Sequence, residues 1–292
     1  CDWSSDVCSS DLFQLKDVDG NPMIKNKDGQ RVPATWLGLE VMHTADKRKL
    51  KGAPAQLNSL KDWTERQRAA KSLINLLNDY ADEGANNKDW YEASSSAIMR
   101  LTNNNKEDAL RLADLIALHS PQNSVAQNSS DAITAYYKWK DQVNRGVAPE
   151  DMDFRVGKTP EQTHEATLKV FVDGEPVSGQ KINPFSRNLK IKIDDTIPQD
   201  ATIDSWMARA IGFKEDVMTE NQLKFVQGLM NEIAKRKGWE TWQVQSAIWA
   251  TIKSRWDKAK DQVLKIGKEE GWVTKERRAL LKNGAIAPVT AK

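Results

Sequence analysis

Thr241-Trp242-Gln243-Val244-Gln245-Ser246-Ala247-Ile248-Trp249-Ala250-Thr251-Ile252-Lys253-Ser254-Arg255-Trp256 carries the clearest periodicity in the chain. Val244, Ile248, Ile252 and Trp256 recur every fourth residue, and Trp242, Trp249 and Trp256 every seventh. Apolar residues at that spacing share one face of a helix. The stretch therefore predicts a long amphipathic helix opened by Thr241. Its tryptophan stripe serves either as core or as a platform for stacked bases.

Upstream, the same period returns in shorter pieces. Thr219 is placed to cap a helix carrying Leu223, Val226, Leu229, Met230 and Ile233, closed by Gly238. Asp200 or Thr202 can cap a helix over 203–211, and a short one is expected over 182–189 despite Pro184. Residues 161–172 read either as a helix started by Thr159-Pro160 or, near Asp173-Gly174, as a β-hairpin. Ser124 caps a helix to about Val143 with Ala132, Ile133, Tyr136 and Tyr137 inward, and Asn105 caps the one before it. Two more helices are expected over 89–101 and from about Leu57 to Gly84. Residues 13–56 read as an extended arm and linker, with turns at Asp19-Gly20 and Asp28-Gly29. The expected organisation is a mainly α helical domain over 57–270 followed by a basic C-terminal tail over 271–292.

The first twelve residues, with their repeated Ser-Ser-Asp, resemble the translation of a sequencing-library adapter. They are expected to be non-native, with the natural chain starting upstream of Phe13. Both cysteines, Cys1 and Cys8, fall inside them, and His43, His119 and His164 are scattered. Neither a disulfide nor a metal centre is therefore expected, and no cofactor is implied. From Lys214 onward the chain has 16 Lys+Arg against 10 Asp+Glu. That excess suits either a polyanionic partner or a solvated helical face. No run approaches the roughly 18 apolar residues of a membrane span. The expected location is cytoplasmic.

Two segments combine polar residues with tight helix boundaries. In Ala117-Leu118-His119-Ser120-Pro121-Gln122-Asn123, an apolar helix end runs directly into a polar loop and a new helix start. Such a loop is either a capped turn between core helices or a presenter of amides to phosphates and bases. The second segment runs from Ser178-Gly179-Gln180-Lys181 to Ile203-Asp204-Ser205-Trp206-Met207-Ala208-Arg209. Asp204, at a helix start, either caps that helix or offers an ionised carboxylate to a developing cation.

Taken in order, these blocks resemble the helix-hairpin-helix DNA glycosylase superfamily, including divergent phage or mobile-element members. The family pattern places a polar wedge after a helix, then a Gly-x-Gly-x-Lys hairpin, then an Asp opening a further helix five residues before an Arg. The resemblance covers about 115–213. It implies two helical subdomains with a cleft and base flipping on DNA. It makes Asp204 and Lys181 catalytic, the lysine as a Schiff-base amine. It puts Gln122, Asn123, Asn128, Gly179, Gln180 and Arg209 against DNA and Trp206 in the base pocket. The hairpin here has one glycine instead of two, and Ser205-Trp206 replaces the usual Thr-His. The implied activity is removal of a flipped base; the rival is an inactive DNA-binding or interaction module.

Overall fold

The computed structural model describes residues 16, 23–25, 29–43, 47–121, 123–153, 155–156, 161–172, 174–213 and 217–269, with backbone alone for Glu161 and 261–269. The expected non-native segment, the Asp19-Gly20 turn, Gln122, the Thr159-Pro160 helix start and the basic tail lie outside these residues. The described residues are mainly helical, with a small β region near the N-terminus. No helix among them is long and apolar enough to cross a membrane.

The strands are β1 (Met23–Lys25), β2 (Arg31–Pro33), β3 (Thr35–Trp36), β4 (Leu39–His43) and β5 (Arg48–Leu50). They form an antiparallel β1-β2 hairpin and a three-stranded antiparallel β3-β4-β5 sheet. The hairpin agrees with the expected extended arm, and of the Asp28-Gly29 turn only Gly29 is among the described residues. The sheet corrects part of the arm and linker expected over 13–56, since Arg48–Leu50 pairs with β4. Its β3-β4 turn is Leu37-Gly38, with φ of 48° and 75°. A tight hairpin needs positive φ at both central residues, and leucine there hides the signal that Asn-Gly would give.

The helices are α1 (Ala55–Asn58), α2 (Trp63–Glu83), α3 (Trp90–Leu101), α4 (Lys106–Leu118), α5 (Val125–Asn144), α6 (Glu161–Phe171), α7 (Ile182–Leu189), α8 (Ser205–Ile211), α9 (Glu220–Lys237) and α10 (Thr241–Glu269). Their ends follow local chemistry. Asn105 accepts from the Asp108 amide at 3.0 Å and Ser124 from the Gln127 amide at 3.2 Å. Thr219 and Gln222 form a reciprocal capping box, and left-handed Gly238 closes α9. The α8 cap is neither Asp200 nor Thr202. Asp204 itself accepts from the Trp206 and Met207 amides, each at 3.0 Å. Residues 161–171 are helical, which removes the hairpin alternative.

The chain divides into two compact units, Cys1–Asp79 with Ala208–Trp239, and Tyr80–Met207 with Glu240–Lys292. In the first, Ala70, Ile74 and Leu77 of α2 are fully buried, as are Val226, Leu229, Met230 and Ile233 of α9. In the second, the core gathers Tyr91 and Ile98 of α3, Leu112 and Leu115 of α4, Ala132, Tyr136 and Trp139 of α5, Leu189 of α7 and Trp242 of α10. Tyr137 is not inward: it is 53% exposed. Adjacent helical residues point about 100° apart, so burying Tyr136 turns its neighbour out.

Candidate functional site

The second unit contains a cavity of about 190 Å³. Its walls come from segments far apart in sequence. The α4–α5 junction supplies Ser120, Asn123, Val125 and Asn128, and the start of α7 supplies Lys181 and Phe185. Thr202 and Asp204 precede α8; Gln245, Ser246 and Trp249 come from α10. Trp90 and Tyr91, at the start of α3, complete the aromatic side. Asn123 and Val125 are exposed and mark the rim, while Ser120, Asn128, Tyr91 and Gln245 are buried.

Helix α7 is fastened before it presents Lys181. The Asp114 carboxylate on α4 accepts from the Ser186 hydroxyl and, at 2.6 Å, from the Lys190 ammonium. Asn188, with no exposed surface, then binds the segment leading to Asp204. Its amide donates to the Asp200 carbonyl at 2.6 Å and the Thr202 hydroxyl at 3.1 Å, and its oxygen accepts from the Asp200 amide at 3.2 Å. Two cavity walls are thereby held in register by one side chain.

Asp204 is fixed at both oxygens. Oδ1 takes the two α8 amides, and Oδ2 accepts from the Trp249 indole at 2.9 Å. Lys181 Nζ reaches the Ser120 carbonyl at 3.4 Å. Burial pushes this amine below the ordinary lysine range, with the Asp204 carboxylate pulling the other way. Tyr91 donates to Gln245 Oε1 at 2.9 Å, and burial raises its phenol so that it stays protonated. Two buried side-chain oxygens on wall residues have no hydrogen-bond partner among the described residues: Ser120 Oγ and Asn128 Oδ1, on residues 7% and 5% exposed. No group of three or more His, Cys, Asp or Glu able to hold a metal occurs among the described residues.

The arrangement offers a carboxylate, a desolvated amine, amide groups and flat aromatic surfaces around one space. A dry cavity of about 150 Å³ holds benzene, so this one has room for a single heterocycle. Of the residues singled out in the sequence, Asp204, Lys181, Asn123 and Asn128 meet in its wall. Gly179 (φ 111°) and Gln180 are exposed in the turn before α7, outside the wall, and Arg209 is exposed on α8. Trp206 does not line the pocket either. Its ring packs on Trp256 at 5.3 Å with the Lys253 ammonium 4.9 Å from its centre, so it belongs to packing. Trp249 takes the aromatic place instead.

Sequence reading missed Tyr91, Gln245 and the indole–carboxylate bond from Trp249. The available signal was Gln245-Ser246 inside an apolar stripe, where a polar pair needs partners.

No curated protein and no solved structure matches the chain. Residues 55–256, which include every wall of the cavity, match a family of unknown function (DUF7178), and the chain belongs to that family.

Proposed function

We propose that the cavity receives a nucleobase flipped out of DNA and that the protein cleaves the N-glycosidic bond behind it. The observation that carries this reading is the meeting of Lys181 and Asp204, 23 residues apart in sequence, in the wall of one base-sized space. Aromatic walls repay part of the few kcal/mol lost on unstacking a base. The Asp204 carboxylate, held by three donors, faces positive charge building on the deoxyribose as the C1′–N bond lengthens. Water then adds to C1′ and the departing base takes up a proton. In a second step the Lys181 amine condenses with the C1′ aldehyde of the ring-opened abasic sugar, water leaves as the iminium forms, and elimination of the 3′ phosphate cleaves the strand; a depressed pKa keeps more of the amine neutral and nucleophilic.

The test is base release from duplex oligonucleotides carrying normal, deaminated, oxidised or alkylated bases, read by chromatography. Asp204→Asn keeps a cap oxygen for α8 but loses the charge, and base release falls by about a thousandfold. Lys181→Ala spares base release and removes covalent trapping by borohydride on abasic DNA. Unchanged release by Asp204→Asn ends the proposal.

One observation favours a second reading, an inactive DNA-binding module. Both Asp204 oxygens already serve the fold, as helix cap and as acceptor for Trp249. Salt-dependent duplex binding without release of any base would select that reading.

A further inference from the structure

We infer that the cavity selects bases bearing an exocyclic amino group, in the manner of adenine and cytosine, over their carbonyl counterparts. The inference rests on the reading of the cavity as a base site and names its substrate class. Its basis is the pair of buried, unpartnered oxygens, Ser120 Oγ and Asn128 Oδ1, on the α4–α5 wall. A carboxamide oxygen only accepts, and a serine hydroxyl donates or accepts. Gln245, also in the cavity wall, has its oxygen committed to the Tyr91 hydroxyl, which leaves its amide nitrogen as the donating half. Nearby Asp204 already receives three donors.

The α4–α5 wall therefore asks its ligand for N–H groups. An amino group carries two, one for each oxygen, whereas a carbonyl at the same ring position is met by the serine hydroxyl alone and sets its oxygen against Asn128 Oδ1. Leaving a buried acceptor unmatched costs far more than making an ordinary hydrogen bond gains. The amino group of adenine or cytosine meets the oxygens, and the adjacent ring nitrogen accepts from the Gln245 amide. Uracil and hypoxanthine match them in size and flatness, so stacking on Trp249 does not separate the pairs.

The experiment is competition binding of free bases to the full chain, read by saturation-transfer NMR, with cytosine against uracil and adenine against hypoxanthine. Each amino base should bind about 10- to 100-fold tighter than its carbonyl partner. Asn128→Leu should erase the preference by weakening the amino bases. Asn128→Asp, which has an acceptor and no donor, should keep it. Equal binding within the pairs, a carbonyl preference, no binding of any of the four, or a preference untouched in Asn128→Leu each overturn the inference. Base release is a separate readout. A protein that discriminates the pairs and releases nothing keeps this inference and loses the glycosylase chemistry.

Discussion

Arg66 in the first unit and Asn128 in the second are both almost completely buried polar residues, and they are treated in opposite ways. Arg66 is 1% exposed and surrounded by accepting carbonyls: Arg48 at 2.8 Å, Asn58 at 3.4 Å, Lys61 at 3.5 Å and Leu60. These carbonyls belong to β5, the end of α1 and the segment before α2. One guanidinium thus satisfies carbonyls of three backbone segments that would otherwise bury unpaired acceptors. Asn128 sits equally deep with its oxygen unmatched, in the wall of a cavity. A buried polar group whose bonds all close inside the protein is serving the fold. One left open carries a desolvation cost that packing alone does not explain.

The contrast is tested most strongly where a satisfied group is removed. Arg66→Met leaves carbonyls of three segments without partners, and urea unfolding should report a loss of about 3 kcal/mol or more. A loss under about 1 kcal/mol would mean that the nest is incidental. Asn188→Ala makes the same test inside the cavity unit. Three hydrogen bonds go, and a loss of about 2 kcal/mol is expected. Because Asn188 ties Asp204's segment to α7, the proposed base release should fall as well, through misplacement of the carboxylate.

Lys181 sharpens the comparison from the open side. Burial holds its amine below the ordinary lysine range in the folded chain. Between that depressed value and about 10.4, its value in an unfolded chain, the unfolded state binds the extra proton. Stability therefore rises as pH climbs through that window, and the full cost of burying the ammonium is carried below it. Lys181→Met should raise stability at neutral pH and flatten that slope, measured by denaturant titrations from pH 7 to 10. Lower stability in the variant would make Lys181 a structural group like Arg66.

What the sequence disclosed follows the range of the forces involved. Asn105, Ser124 and Thr219 were readable as caps because a cap bonds within three residues of itself. The β3-β4-β5 sheet was hidden because Leu37-Gly38 lacks the usual turn chemistry. In the site, Lys181, Asp204, Asn123 and Asn128 were found through the order of their motifs. Tyr91 and Gln245 were not, since their partnership spans 154 positions and each looks like helix filling. Trp206 misled for the opposite reason. Its neighbours in sequence suggested a pocket, but Trp256 offers a large apolar surface one helix away, and burying aromatic area there decides its place. Asp204 was read as either cap or functional carboxylate, and it is both a cap and part of the cavity wall.

The smallest expected effect separates two serines four residues apart. Ser124 spends its hydroxyl on the Gln127 amide and starts α5. Ser120 is more deeply buried, yet its hydroxyl finds no partner among the described residues, while its backbone carbonyl receives Lys181. Ser124→Ala should therefore cost about 1 kcal/mol. Ser120→Ala removes an unpaired buried oxygen and keeps the carbonyl, so stability should hold or rise, by up to about 1 kcal/mol. The same variant should nevertheless weaken binding of adenine and cytosine. Calorimetric melting of the two variants checks the first statement, and base competition checks the second. If Ser120→Ala melts as early as Ser124→Ala, the open hydroxyl is a packing element and the division between closed and open polar groups fails at this residue.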